Sequence, residues 1–327
     1  MSKVRVAVLR GGPSTEYDIS LKTGNAVLSH LNTEKYVPID VFIDKTGIWH
    51  VSGCPKTPGN ILEQVDVVFN ALHGEFGEDG TVQKLLDRYG VPYTGSCASA
   101  SALCLNKFLV KQALLPYQEE LGIHFAKHVV LYPAEYSDTD VQQMLSLFQL
   151  PAVVKPLTGG SSVGVSIVDD KESLYNAVSL VLGEGKRVII EEYINGKEAT
   201  CGIIEQYRGD PLYVTLPIEI RPSAGHRFFD YAAKYENASE EICPGNFSVI
   251  EKEKIQSLTR DIHRILGLRH YSRSDFIVTL TGVYFLEVNT LPGLTEQSLI
   301  PKALQAVGCP FPEFLDHLVQ LALTNSR

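Results

Sequence analysis

Arg273, Asp275, Glu287 and Asn289 bracket a turn at Thr281-Gly282, and their spacing puts a cation site and an anion site on one short piece of chain. Two apolar runs, Phe276-Ile277-Val278 and Val283-Tyr284-Phe285-Leu286, flank the turn, the pattern of a β-hairpin with a glycine-bearing loop. With a loop of Leu280, Thr281 and Gly282, Asp275 faces Glu287 and Arg273 faces Asn289. Side chains alternate with period two, so all four project from one face. A two-residue loop would set Glu287 against Phe276, a poorer match, so the longer loop is the expectation. Two carboxylates and an amide oxygen are hard donors that suit magnesium when substrate phosphates complete its shell. The guanidinium fork fits a phosphate or a developing oxyanion. A surface hairpin with an ordinary Arg–Asp pair is the plainer reading, but the strands are too apolar for a solvated face and unpaired buried carboxylates are costly.

Three further stretches carry chemistry. Gly159-Gly160-Ser161-Ser162-Val163-Gly164 lies between two strand-like runs and lacks the Gly-Lys-Ser/Thr and following helix of a Walker loop. Small residues there form a flap whose N–H groups can converge on phosphate, with Lys155 adding charge; a plain hairpin turn is the competing reading. Glu191-Glu192-Tyr193-Ile194 ends a strand in the manner of an interdomain hinge that offers an adenine edge its backbone, with Glu198 able to reach a ribose. Singly, these glutamates read as solvated charges. His73 follows a buried-looking strand at the head of a glycine-punctuated loop, in which Asp79 would cap the next helix.

The elements that must position these residues fall into three segments. The opening third alternates strands and helices (4–9, a helix through about 31, 37–43, 65–72, then a helix at 81–89), which implies a parallel sheet with helices on its faces and a ligand edge holding Glu16 and His73. The middle runs from 105 to 194, with strands at 129–131, 152–155, 163–168 and 188–192 and helices at 141–148 and 174–182. The last third adds strands, helices near 252–266 and 311–323, and a polar stretch from Arg221 to Asn246 that is too long for a simple connection and so is a functional loop candidate. At 327 residues with net charge −9 and no basic block, the chain does not read as a nucleic-acid binder. It shows no membrane span or signal peptide, and its six scattered cysteines fit reduced thiols in a cytoplasm.

In order, Gly11-Gly12-x-Ser14-x-Glu16-x-x-x-Ser20, His73-Gly74-x-x-Gly77-Glu78-Asp79-Gly80, Asn106-Lys107, Lys155-Pro156 with the glycine flap, Phe229-Asp230-Tyr231-x-x-Lys234-Tyr235, the hairpin, and Pro292-Gly293-Leu294-Thr295-x-x-Ser298-Leu299 resemble the D-alanine–D-alanine ligase family of the ATP-grasp superfamily across nearly the whole chain. The resemblance implies a three-domain α/β and α+β fold: a Rossmann-like unit at 1–104, a central grasp unit at 105–194 and a C-terminal grasp unit at 195–327. It implies that Lys107, Lys155, Ser162, Glu191, Tyr193, Ile194, Glu198 and Lys234 hold ATP. Asp275, Glu287 and Asn289 would hold two magnesium ions, for which manganese could substitute.

By the same resemblance Glu16 takes the ammonium of a first D-alanine and is linked by hydrogen bonds to Ser161 and Tyr235. His73 sits near that substrate's carboxylate, Arg273 stabilises the tetrahedral oxyanion, and Ser298 with Leu299 seats the second D-alanine. The implied reaction is ATP-dependent ligation through an acyl phosphate for peptidoglycan, in a cytoplasmic homodimer. Tyr235 goes with D-alanine as the second substrate, where phenylalanine goes with D-lactate. Tyr17, Gly159 and the slightly expanded segment 112–121 depart from the family pattern. Competing readings are a related carboxylate–amine or D-lactate ligase, or an ATP-binding regulator without turnover. A nicotinamide dehydrogenase fails because no Gly-x-Gly-x-x-Gly follows the first strand.

Overall fold

The computed structural model describes residues 3–133, 145, 148–160, 164–222 and 239–324. The first body comprises β1 (Val4–Gly11), α1 (Tyr17–His30), β2 (Tyr36–Ile43), β3 (Trp49–Val51), β4 (Cys54–Lys56), α2 (Pro58–Leu62), β5 (Val67–Asn70) and α3 (Thr81–Tyr89). Its sheet runs β4-β3-β2-β1-β5, parallel across β2-β1-β5 as the sequence rhythm implies. The antiparallel strands β3 and β4 extend it beyond that expectation. They are three residues long, and β4 is wholly exposed and contains Pro55, so neither is long enough to show a strand period.

Next come α4 (Ala98–Leu105), α5 (Lys107–Leu114), α6 (Gln118–Leu121) and the short β6 (Ile123–His124). Ala100, Cys104, Val110, Leu114, Leu121 and Ile123 pack into the core under the last sheet. The central sheet is antiparallel, in the order β7 (His128–Leu131), β10 (Val188–Glu192), β8 (Ala152–Pro156), β9 (Ser166–Val168). It is covered by α7 (Lys171–Gly183), whose Leu174, Val178 and Val181 meet Leu131, Val154 and Ile190. Asp170 caps α7 by accepting from the Ser173 N–H at 2.8 Å. The helix expected at 141–148 falls largely outside the described residues.

The last body contains β11 (Lys197–Tyr207), β12 (Asp210–Val214), β13 (Ile218–Pro222), β14 (Ser239–Ile242), α8 (Val249–Ile265), β15 (Tyr271–Thr279), β16 (Gly282–Asn289), α9 (Leu299–Ala306) and α10 (Phe311–Thr324). Its sheet order is β14-β13-β11-β15-β16-β6, with β12 beside β11. Ser248 and Glu251 form a reciprocal capping box that starts α8. The polar stretch from Arg221 resolves into the ends of β13 and β14, and 223–238 between them lie outside the described residues. α10 returns to the first body: Phe314, Leu315 and Leu318 share a core with Val6, Val8, Val67 and Phe69, and Asp316 accepts from the Tyr36 hydroxyl at 2.6 Å.

Candidate active site

The hairpin of β15 and β16 pairs Arg273 with Asn289 and Asp275 with Glu287, as the residue alternation predicts, but by a different route. Thr279 pairs with Gly282, so the loop is the two residues Leu280 and Thr281, and the expected three-residue loop is wrong. The pairing then passes from Phe276–Phe285 to Asp275–Glu287, and Leu286 is the extra residue of a β-bulge. That bulge restores the register of the site. It also breaks the alternation locally, so that Leu286 and Glu287 both line the same cleft. Gly282 belongs to the strand, where a Cβ would stand 2.5 Å from the His124 ring of β6.

The four hairpin side chains meet on one face. Arg273 grips Asp275 with both arms of its fork, Nε to Oδ1 at 2.9 Å and Nη2 to Oδ2 at 2.8 Å. Asn289 donates to Asp275 Oδ2 at 3.0 Å, and Thr200, paired with Asp275 across β11 and β15, donates to Oδ1. Burial alone would lower the Arg273 pKa, but the Asp275 carboxylate outweighs it and pushes the pKa up, so the guanidinium keeps its charge. Lys107 Nζ lies 3.6 Å from Glu287 Oε2 and donates to the Gly159 carbonyl. Two carboxylates and an amide on one face are a donor set that fits magnesium.

Lys107, Lys155, Gly159, Gly160, Tyr193, Ile194, Glu198, Arg273, Asp275 and Glu287 line one narrow cleft of 100 Å³ between the central and last sheets. Val153, Ile277, Leu286 and Ile220 give it apolar walls, suited to a flat base. Glu191 enters this cleft differently from the sequence reading. Its carboxylate is buried and bonded on one oxygen to Lys111 and on the other to Lys155 at 2.8 Å. Burial would raise its pKa, yet the two ammonium groups pull it down to about 2. Lys111 was not singled out by sequence; its signal is the four-residue spacing from Lys107, which puts both lysines on one face of α5.

A second cavity, of 710 Å³, opens from this cleft; Gly160, Arg273 and Leu299 line both. Glu16, at the start of α1, and His73, after β5, line it. Gly160 abuts Glu16, since a Cβ there would be 2.7 Å from Glu16 Oε1. His73 bonds Thr23 through Nε2 at 2.8 Å, and burial pushes its pKa down to about 4, so it is neutral at pH 7. At the other side Ser298 begins α9, but its hydroxyl turns back to Thr295 and leaves the first-turn N–H groups without a side-chain cap. Such an end favours a carboxylate. Asp79 accepts from the Thr81 N–H at 2.8 Å, one residue outside the Gly80 cap of α3.

Glu78, a member of the His73-Gly74-x-x-Gly77-Glu78-Asp79-Gly80 motif, fastens these walls together. It accepts from the Gly74 N–H at 2.8 Å, the Leu291 N–H at 3.1 Å and the Thr290 hydroxyl at 3.3 Å, tying the His73 loop to the hairpin's exit. Burial and then the nearby Glu16 carboxylate push its pKa up from 4.5 to about 8. The folded state therefore holds this proton more tightly than the unfolded chain. The resulting stabilisation is complete below the unfolded value and is lost as pH rises through about 8. Glu78→Gln mimics the protonated form, so its thermal midpoint should fall less than that of the unaltered protein between about pH 5 and about pH 9. Parallel curves would refute the assignment.

Ser161, Ser162, Lys234 and Tyr235 lie outside the described residues. Glu16, His73, Lys107, Lys155, Glu191, Tyr193, Ile194, Glu198, Arg273, Asp275, Glu287, Asn289, Ser298 and Leu299 all line the two joined cavities.

Family models described as D-ala D-ala ligase N-terminus and D-ala D-ala ligase C-terminus match residues 5–61 with 54–96 and residues 117–320. The D-alanine–D-alanine ligase of Syntrophobacter fumaroxidans is 39% identical over 327 residues, covering 99% of each chain. Among solved structures, the D-Ala:D-Ser ligase VanG of Enterococcus faecalis is 31% identical with a TM-score of 0.84, covering 98% of this chain and 100% of its own. The D-alanine–D-alanine ligase of Bacillus anthracis complexed with ATP is 30% identical with a TM-score of 0.79, covering 99% of this chain and 98% of its own. Matched along almost its whole length, the chain belongs to the D-alanine–D-alanine ligase family.

Proposed function

We propose that this protein joins two D-alanines to D-alanyl-D-alanine for peptidoglycan synthesis, with ATP converted to ADP and phosphate. The observation that supports this most is the position of Arg273 and Gly160 on the border between the cleft lined by Lys107, Lys155 and Glu198 and the cavity lined by Glu16, His73 and Ser298.

A carboxylate is a poor electrophile, so the first step is transfer of the γ-phosphoryl group of ATP to the first D-alanine. Glu16 receives that substrate's ammonium, and neutral His73 lies beside its carboxylate. Lys107 and Lys155 face the phosphates, and Tyr193, Ile194 and Glu198 face the base and ribose. Glu191 acts on the nucleotide through Lys155, whose ammonium it holds at the cleft. Magnesium, held by Asp275, Glu287 and Asn289, would neutralise charge on the transferring group. The second D-alanine, its carboxylate on Ser298 and the first turn of α9, then attacks the acyl carbon. Arg273 stabilises the tetrahedral oxyanion, and phosphate leaves. Ser161, Ser162, Lys234 and Tyr235 complete the site on the family pattern. The six free cysteines agree with a reducing cytoplasm, and a homodimer is the family's usual assembly.

ADP release measured with magnesium and ATP should be stimulated by D-alanine alone and not by L-alanine. If D-alanine gives no stimulation in folded protein, the proposal fails. Addition of D-lactate or D-serine to D-alanine tests the second seat, since a structural relative is a D-Ala:D-Ser ligase. Tyr235→Phe should raise depsipeptide relative to dipeptide when D-lactate and D-alanine compete; an unchanged product ratio would remove Tyr235 from the specificity assignment.

A further inference from the structure

The seat of the second substrate is built on α9, and α9 is held from three directions. Ile300 and Leu304 enter the large core shared with α10. Ile300 also meets Gly202 of β11, where a Cβ would stand 2.5 Å from its Cδ1. Leu299 and Ala303 pack on Ile218, Ile220 and Cys243 of the β13–β14 edge. That edge also carries Glu241, opposite Ile220 in the register. Glu241 lines the same cavity as Ser298 and Leu299, and Lys302, one turn into α9, donates to it. The Glu241 side chain is only 11% exposed and that of Lys302 37%, so the ion pair has one largely desolvated partner.

The carboxylate of a substrate that enters this cavity meets Glu16, Glu241 and Glu296 on its walls, against Lys22 and Arg273. We infer that Lys302 is a positioning residue for the second substrate: it neutralises Glu241 and holds it aside, so that the substrate's carboxylate can settle on the first turn of α9. The inference rests on the ligase reading and adds to it two residues to which that reading gives no role. A nearly buried carboxylate left without its cation repels the carboxylate end of an incoming amino acid at short range, where screening is weak.

Initial rates over a wide D-alanine range separate first-site from second-site KM. Lys302→Gln should raise the second-site KM roughly tenfold, with kcat and the KM values for ATP and the first D-alanine unchanged. Glu241→Gln alone should leave the second-site KM at or below that of the unaltered enzyme. The double variant Glu241→Gln, Lys302→Gln removes both charges and should restore it. An unchanged second-site KM in Lys302→Gln would overturn the inference, as would a double variant as impaired as Lys302→Gln. If Lys302→Gln does not fold, a raised second-site KM in Glu241→Gln would overturn it equally. No D-alanine turnover by the unaltered protein would overturn the ligase reading, and this inference with it.

Discussion

Arg273→Met is expected to lower kcat for dipeptide formation by about 10²- to 10³-fold, the usual loss when one oxyanion donor is removed. The side chain is almost enclosed, borders both cavities, and is fixed in orientation by its two bonds to Asp275. In the variant Asp275 keeps the Thr200 hydroxyl and the Asn289 amide as donors, so the fold should survive and the loss should fall on the chemistry. Arg273→Lys keeps the charge but not the fork, and should recover only part of the rate. Trapping of the acyl phosphate with hydroxylamine separates the half-reactions. D-alanyl hydroxamate should still form in Arg273→Met while dipeptide does not. A kcat within fivefold of the unaltered enzyme would remove Arg273 from transition-state stabilisation.

Glu191→Leu carries the largest expected loss of stability. Lys111 is 1% exposed and Lys155 7%, and Glu191 is the shared counter-ion between them. Removing one member of a buried ion group leaves the others charged and desolvated, which costs about 3–5 kcal/mol. For a chain of this size that corresponds to a fall of roughly 10 °C in thermal midpoint. Lys111→Met added to Glu191→Leu removes one of the stranded charges and should recover part of the loss. A midpoint unchanged in Glu191→Leu would show that the trio is not a structural unit. The sign with pH is opposite to that of Glu78. The folded pKa of Glu191 is below its unfolded value of 4.5, so its contribution is present at neutral pH and is lost as pH falls from about 4.5 to about 2.

Part of the fold and of the candidate site was legible in the sequence, for physical reasons visible in single residues. Arg273, Asp275, Glu287 and Asn289 could be set on one face because a strand has a fixed period, and that argument survived an error in the loop. The bulge at Leu286 left no mark, since an extra apolar residue in an apolar run changes no pattern. Lys111 read as one more charge on a short helix, because whether a lysine is buried depends on what packs over it. The docking of α10 on the first sheet is a contact between residues some 280 positions apart, such as Tyr36 and Asp316, and local periodicity holds no information about such a pair. The pairing of Glu191 with two lysines could not be read, since they come from α5 and β8 and only the folded chain brings them together.

The bulge at Leu286 also separates the tip of the hairpin from its business end. Leu280 projects fully into solvent, and the pairing of Asp275 with Glu287 is set by the bulge and by the neighbouring strand β11, where Thr200 faces Asp275. A change of turn length at Leu280-Thr281 can therefore be absorbed between tip and bulge without rotating the Asp275 and Glu287 carboxylates away from the cleft. The hairpin behaves as a tolerant handle joined to an intolerant site, which makes its tip a place where a spectroscopic label or a short insertion should leave the Asp275–Glu287 pairing intact.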